Sequence, residues 1–267
     1  MRSPVVADRF YPGSETELRA ALGYMVPECP DEEKIQALGV MSPHAGYVYS
    51  GGVAGETLSR VRIPETVLIM GPNHHGRGAA LALGMEDWQM PLGEVTVDRK
   101  LAGLILDRSA VITHDETAHA YEHSLEVQVP FLQYLRPDMK IVPIVVSHLS
   151  YPVCEEAAAD LAAAIREYGR QVLVLASTDM THYESRASAG RKDRLALERV
   201  EALDPRGLYD TVLGTGITMC GIMPTTIMLL AALRLGASKA ELVRYTDSGE
   251  ASGDTSQVVG YAGVIVH

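Results

Sequence analysis

Three apolar runs along the chain each end in a polar turn that carries histidine. They read IQALGVMSPHAG over residues 35–46, TVLIMGPNHHG over 66–76 and QVLVLASTDMTHY over 171–183. Short apolar runs bounded by Gly and Pro predict buried strands. Because the carboxyl ends of strands in an open parallel sheet share one edge, and ligands bind there, these strands predict one common site.

Helical and extended segments alternate along the rest of the chain. Helices are predicted over residues 15–25, 52–61, 99–107, 125–135, 153–168, 187–213 and 224–235, and strands over 36–42, 66–70, 140–147, 171–177, 240–246 and 257–266. Pro143 argues against a central place in the sheet for its strand. The alternation predicts a single α/β domain over residues 1–267, with a mostly parallel or mixed central sheet flanked by helices in three layers.

Composition and charge narrow the classes of function. The 267 residues carry a net charge of −11, and Lys and Arg form no basic run, which argues against a nucleic-acid partner. No apolar run approaches the length of a membrane span, and the first residues lack the pattern of a secretory leader, so we expect a cytoplasmic protein without a membrane partner. Three widely spaced cysteines argue against a disulfide framework.

The first two histidine-bearing turns have the same design. His44 and His74 each follow a strand and a proline, Pro43 or Pro72, which fixes the backbone ahead of the ring. A single histidine of this kind can simply donate to a backbone carbonyl. Several at one sheet edge favour a shared transition metal, for which neutral imidazole is the commonest protein ligand.

The third turn adds Asp179 and His182, and a later turn, TMCGIMP, adds Cys220. A thiol close to a helix N-terminus has a lowered pKa and can act as a ligand or nucleophile, which is one interpretation of Cys220. Spacing alone supports equally well a small buried hydrophobe, which is what most free cysteines are.

The segment HAYEH, from His119 to His123, matches the H-x-x-E-H pattern of inverted zinc proteases. That pattern requires a helix across both histidines, and the helical periodicity begins only after His123. We therefore interpret the match as chance. His123 and Glu126 can still share a face at the start of the following helix.

Taken together, the motifs PHAGYVYSGGVAG, GPNHHG, EHSLEVQVPFL, STDMTHY, CGIMP and SQVVGYAGVIVH resemble those of the Memo-like proteins. This family includes the AmmeMemoRadiSam system protein B. The resemblance covers the chain from its first residues to its last, with the motifs in the same order. It implies a fold similar to that of the class III extradiol dioxygenases, which are non-haem iron enzymes.

The resemblance also implies roles for individual residues. His44, His74 and Cys220 match the metal ligands, and Cys220 stands where the dioxygenases have a glutamate. His182 matches the position of an acid/base, and Asp179 belongs to the same motif and is expected to orient it. His123 matches the histidine of the EHS motif, with a tentative catalytic role.

Three hypotheses for function follow. The first is a metal-dependent enzyme, with iron as the first choice and copper or zinc as alternatives, that carries out redox or oxygen chemistry on a small organic substrate. The second is a non-catalytic protein that binds a metal, a ligand or a peptide. The third is a zinc hydrolase, which needs a bound water on three protein ligands. The pattern specifies neither the substrate nor the oligomeric state.

Overall fold

The computed structural model describes residues 1–267, which form nine α-helices and eleven strands. The strands are β1 (Gly39–Ser42), β2 (Thr66–Pro72), β3 (Leu81–Leu83), β4 (Trp88–Met90), β5 (Gly93–Val95), β6 (Thr113–His114), β7 (Lys140–Val146), β8 (Val172–Ser177), β9 (His182–Glu184), β10 (Ala240–Asp247) and β11 (Val258–Val266). The helices are α1 (Glu15–Met25), α2 (Tyr47–Ser59), α3 (Arg99–Arg108), α4 (Val129–Leu135), α5 (Tyr151–Tyr168), α6 (Arg186–Glu201), α7 (Pro205–Thr215), α8 (Ile222–Leu235) and α9 (Gly249–Ser252).

The main sheet is mixed and follows the order β10-β11-β1-β8-β2-β7-β3-β6, while β9 pairs with β11. Its centre consists of β1, β8, β2 and β7, which run parallel to one another. Antiparallel pairs, β1 with β11 and β7 with β3, extend the sheet on both sides. The predicted α/β domain with a mixed central sheet flanked by helices is confirmed.

The strands that end in the histidine-bearing turns are neighbours in this sheet. β8 lies between β1 and β2, and Ala176 of β8 is in register with Met41 of β1 and Met70 of β2. All three strands therefore end at about the same level. The turns that follow them leave the sheet from one edge, as the sequence predicts.

Helices cover both faces of the sheet and completely bury three of its central strands, β1, β2 and β8. On one face, α2 packs against β1, β10 and β11, with α1 and α4 behind it. On the other face, α8 packs against β1, β2 and β8, and α5 lies next to it. Every residue of β1, β2 and β8 is buried, which explains why these strands read as continuous apolar runs rather than alternating ones.

Pro143 lies in an interior strand, contrary to the expectation that its strand is peripheral. β7 is hydrogen-bonded to β2 on one side and to β3 on the other. Pro143 stands opposite Gly84, one residue beyond the end of β3, and accepts a 3.0 Å hydrogen bond from the Gly84 amide. Proline has no N–H to donate to the neighbouring strand. Because Pro143 lies just past the end of β3, no hydrogen bond of the β3–β7 ladder is lost.

Two helices, α2 and α4, begin four or more residues from the predicted positions. α2 starts at Tyr47, five residues earlier than the pattern indicates, so the turn after His44 is short. Residues Glu126–Gln128 form a turn of 3-10 helix, and Pro130 occupies the first turn of α4, where its missing N–H has no partner to lose. None of the helices has the length and apolar sequence needed to cross a bilayer.

Candidate metal centre

Three imidazoles meet at the carboxyl edge of the sheet. His44, His74 and His123 each offer one ring nitrogen, and these atoms all lie within 4.8 Å of one another. The His44 ring is buried, His123 is partly buried and His74 is exposed. We call these residues the imidazole cluster. Their side chains could hold a metal ion, because neutral imidazole nitrogens within this span suit borderline transition metals.

The tautomer of His44 follows from the hydrogen bonds of Ser177. The Ser177 hydroxyl donates its only hydrogen to the carbonyl of Ser124 at 2.6 Å and accepts from Gln128 Nε2 at 2.9 Å. Its oxygen also lies 2.9 Å from His44 Nδ1, so Nδ1 must be the donor of that bond. His44 Nε2 consequently carries the free lone pair that a ligand needs.

A buried carboxylate fixes His74 in the same way. Glu122 Oε2 accepts from the His74 amide at 2.7 Å, and Oε1 lies 2.9 Å from His74 Nδ1. An ionised carboxylate only accepts, so His74 Nδ1 donates and Nε2 is left free. A carboxylate behind a ligating histidine is the usual partner that sets ring orientation and raises the basicity of the ligand.

The same carboxylate organises the backbone beside His123. Glu122 Oε1 accepts from the amides of His123 and Ser124 at 3.0 and 2.9 Å. The His123 ring stacks on His74 with centroids 4.7 Å apart, and Phe10 contacts it edge-on at 4.9 Å. Glu122 therefore connects two members of the imidazole cluster.

Two rings of the cluster, His44 and His123, are held neutral at physiological pH. Burial, and then the charges of His74 and His123, hold the pKa of His44 well below its usual range. Burial lowers the pKa of His123 to about 4, with the charge of His74 acting in the same direction. The pKa of Glu122 is lowered to about 2: burial raises it, but the His74 hydrogen bond and charge and two backbone amides outweigh burial. A neutral ring loses no proton when it binds a metal, so His44 and His123 are ready to bind one.

Cys220 lies beside His44. Its sulfur is 3.4 Å from His44 Nε2 and accepts from the Asp179 amide at 3.2 Å. The expected lowering of its pKa is wrong: burial raises the pKa of the Cys220 thiol, and the negative charge of Asp179 raises it further. The thiol is therefore protonated in the metal-free protein, and His44 Nε2 and the Asp179 carbonyl oxygen, 3.6 Å from the sulfur, are the two acceptors within its reach.

The turn that holds this sulfur fits tightly against the end of β8. A Cβ on Gly221 would come within 2.5 Å of the Ser177 carbonyl oxygen, so only glycine allows this approach. The Cys220 amide also donates to the Asp179 carbonyl at 3.3 Å. These contacts fix the sulfur at the edge where His44 emerges.

The structure corrects the expected partnership of Asp179 and His182. Asp179 Oδ1 accepts from the backbone amide of His44 at 2.8 Å, and burial raises the pKa of its carboxyl to about 6. His182 Nδ1 instead lies 2.9 Å from the carbonyl of Thr218, which therefore orients the ring. Asp179 thus positions the His44 turn, whereas His182 presents Nε2 as its free nitrogen.

The remaining histidines near this edge have other contacts. His119 Nε2 donates to the buried carbonyl of Ala82 at 2.9 Å, and no helix spans His119 and His123. This geometry supports the interpretation of HAYEH as a chance match. Glu126 also turns away from the edge, since its carboxylate bonds to the amides of Val5 and Val6.

Sequence reasoning missed the roles of Glu122 and Ser177 and did not place His123 against His74. Both missed residues lie inside quoted motifs, but neither spacing nor periodicity marks a residue that acts through a hydrogen bond from another segment. The one available signal is a carboxylate flanked by polar residues just before an apolar helix.

Glu122→Gln is expected to weaken metal binding roughly 10–100-fold, the range for loss of such a carboxylate partner. The amide keeps the size of the side chain, but its NH₂ faces donors at His74. Titration with Zn²⁺ or Co²⁺ measures the change. The matched control is Glu116→Gln, because Glu116 also pairs with a histidine, His114, and with the amides of Met85 and Glu86, away from the cluster. Equal affinities for all three proteins would contradict this role for Glu122.

The lowered pKa of His123 predicts a pH dependence of stability in the metal-free protein. Between its ordinary value of 6.5 and about 4, the unfolded chain binds a proton at this residue and the folded chain does not. Stability therefore falls as the pH falls, by about 2 kcal/mol between pH 7 and pH 5. Urea unfolding of wild type and His123→Asn, each with a chelator present, measures the contribution of His123. The opposing contribution of Asp179, whose pKa is raised, is common to both proteins and cancels in the difference. A difference between the two proteins that stays constant with pH would refute the assignment.

Comparisons with known proteins find relatives along nearly the whole chain. The family model described as Memo-like protein matches residues 2–265. A MEMO1 family protein of Methanopyrus kandleri is 41% identical over 99% of this chain and 98% of that protein. MEMO1 family proteins of Archaeoglobus fulgidus and Aquifex aeolicus are 42% and 40% identical, each over 99% of this chain.

A solved structure also has the same fold. An uncharacterized protein of Escherichia coli K12 superposes with a TM-score of 0.59 and covers 87% of this chain and 100% of its own. At 13% sequence identity, the likeness supports the α/β architecture and carries no information on activity.

Proposed function

The chain belongs to the Memo-like protein family, and from that membership and the imidazole cluster we propose a metal-dependent enzyme for redox or oxygen chemistry on a small organic molecule. His44, His74 and Cys220 would hold one ion, with iron as the first choice and copper as the alternative. His123 would lie against this site. The observation that carries the proposal is the place of His44, whose ring belongs to the cluster and whose Nε2 contacts the Cys220 sulfur.

The separation of the His44 and Cys220 donor atoms supports a common ion for this pair. Ligands about 2.0 Å (imidazole nitrogen) and 2.3 Å (thiolate sulfur) from a tetrahedral ion lie about 3.5 Å apart. His44 Nε2 and Cys220 Sγ are 3.4 Å apart, so both reach one ion without movement of the backbone. Thiolate and imidazole suit iron, copper and zinc better than hard cations such as Mg²⁺.

Bound iron would supply one-electron redox chemistry and polarise an oxygen of the substrate. The protein's own contribution is orientation and proton transfer. Ser177 and Glu122 fix two rings with Nε2 free. His182 Nε2 would be the proton acceptor, since Nδ1 is committed to the carbonyl of Thr218.

A zinc hydrolase is the second candidate, and one observation favours it. Three histidines are the donor set of some catalytic zinc sites, and the cluster provides three imidazoles. In that case His123 would replace Cys220 as the third ligand. The two candidates thus differ in metal, in ligand set and in reaction.

Anaerobic purification followed by elemental analysis tests the proposal. Stoichiometric iron or copper, with O₂ uptake that depends on an added organic substrate, would support a redox enzyme. Stoichiometric zinc with ester or amide hydrolysis and no O₂ uptake would replace it with the second candidate. Metal without turnover of either kind would indicate a non-catalytic binding protein.

A further inference from the structure

We propose that residues 2–11, the N-terminal arm, hold the metal centre in shape, and that Arg2 is a positioning residue for its ligands. The arm binds residues 119–126, which we call the EHS loop because it includes Glu122, His123 and Ser124. The proposal rests on the metal site proposed above. It assigns a function to a buried ion pair that the chemistry of the cluster does not use.

Arg2 joins both ends of the EHS loop. Its side chain is buried, and its guanidinium donates from Nε to the carbonyl of His119 at 2.9 Å and from Nη2 to the carbonyl of Glu122 at 2.6 Å. Nη1 lies 2.7 Å from the carboxylate of Glu126, and the guanidinium lies over the Trp88 ring at 4.3 Å. The rigid planar fork of arginine can reach three acceptors in this way, which a single ammonium group cannot.

Glu126 completes the attachment of the arm. Its carboxylate is fully buried and accepts from the amides of Val5 and Val6 and from the hydroxyl of Tyr11 at 2.7 Å. A buried carboxylate is costly unless it is paired and hydrogen-bonded, and here each of its partners belongs to the arm. The arm is therefore bound to the loop along most of its length.

The arm also touches the imidazole cluster. The Phe10 ring lies edge-on against His123 at 4.9 Å. The Phe10 carbonyl accepts at 2.8 Å from the amide of Tyr47, which begins the helix three residues after His44. The arm thus contacts the ring of His123 and the start of the helix that follows His44.

Positioning by Arg2 reaches the third histidine through Glu122. Arg2 holds the carbonyl of Glu122, and the Glu122 carboxylate holds both the amide and Nδ1 of His74. Loss of the guanidinium would free the Glu122–His123 dipeptide while every ligand remained present. Ordering the ligands on binding would then cost conformational entropy, which lowers the affinity for the metal.

The double variant Arg2→Met/Glu126→Gln tests this proposal. Methionine keeps an apolar stem, and glutamine avoids an unpaired buried charge, which could prevent folding. We expect the dissociation constant for Co²⁺ to rise roughly 10–100-fold, with a changed visible absorption spectrum of the bound ion. Arg2→Lys keeps the charge but cannot bridge both carbonyls, so its affinity should lie between those of the double variant and the wild type.

Asp98→Asn is the control for a loss of stability alone. Asp98 is buried at the opposite edge, where its carboxylate accepts from Thr66 and Tyr168. It should lower Tm without changing Co²⁺ affinity or spectrum. A double variant that loses Tm but keeps wild-type affinity and spectrum would overturn the role of the arm. Wild-type protein that binds no Co²⁺ would instead defeat the metal site itself, and the arm's proposed role with it.

Discussion

Replacing His44 or His74 by alanine is expected to abolish stoichiometric metal binding and to leave the fold intact. Each substitution removes a ring nitrogen whose orientation is already fixed, by Ser177 for His44 and by Glu122 for His74. Loss of a direct ligand should exceed the roughly 10–100-fold that loss of an outer partner costs. Elemental analysis and metal titration measure the loss, and circular dichroism verifies the fold.

His75→Ala is the matched control for these variants. His75 follows His74 directly, but its ring is exposed and faces Tyr121, with centroids 6.3 Å apart. We expect it to retain the metal content of the wild type. Full metal content in His44→Ala or His74→Ala would show that the ion binds elsewhere.

The second large effect is expected from His182→Ala, which should retain metal but lose turnover. With Nδ1 bonded to the Thr218 carbonyl, the ring offers only Nε2 for proton transfer. General acid–base groups contribute typically 10²–10⁴-fold to rate, so kcat should fall by that range. The measurement is turnover at equal metal occupancy, using whichever substrate supports O₂ uptake in the wild type.

His148→Ala is a suitable control, since His148 also follows a strand of the parallel core, β7, and is exposed. It should keep both metal and turnover. If His182→Ala lost its metal instead, His182 would be a ligand rather than a proton-transfer group.

The fold and the location of the site could be predicted because they depend on local pattern. Apolar runs that stop at Pro-His turns mark both the buried strands and their carboxyl ends. Adjacency of β1, β8 and β2 then brings His44, His74 and His182 to one edge. No detail of side-chain packing is needed for that inference.

The partners of each histidine could not be predicted, because they arise from contacts between distant segments. Glu122 reaches His74 across 48 positions, and Ser177 reaches His44 across 133. The Asp179 carboxylate accepts from the His44 amide and not from His182. This is so although Asp179 is only three residues from His182 and far in sequence from His44. Proximity along the chain was misleading here.

The pKa of Cys220 shows the same limit. A position just before α8 suggests a stabilised thiolate, whereas burial and the neighbouring Asp179 carboxylate raise the pKa of the thiol. Burial depends on how the turn packs on β8, which the sequence does not display. A bound cation would reverse the balance, because a coordinating thiol loses its proton.

The most direct test of the central claim is anomalous diffraction from crystals of the metal-loaded protein. We predict one strong peak about 2.0–2.3 Å from His44 Nε2, His74 Nε2 and Cys220 Sγ. A peak on His44, His74 and His123 with the sulfur free would favour the second candidate function. An anomalous peak that lies within ligand distance of neither His44 nor His74 would contradict the proposed metal site.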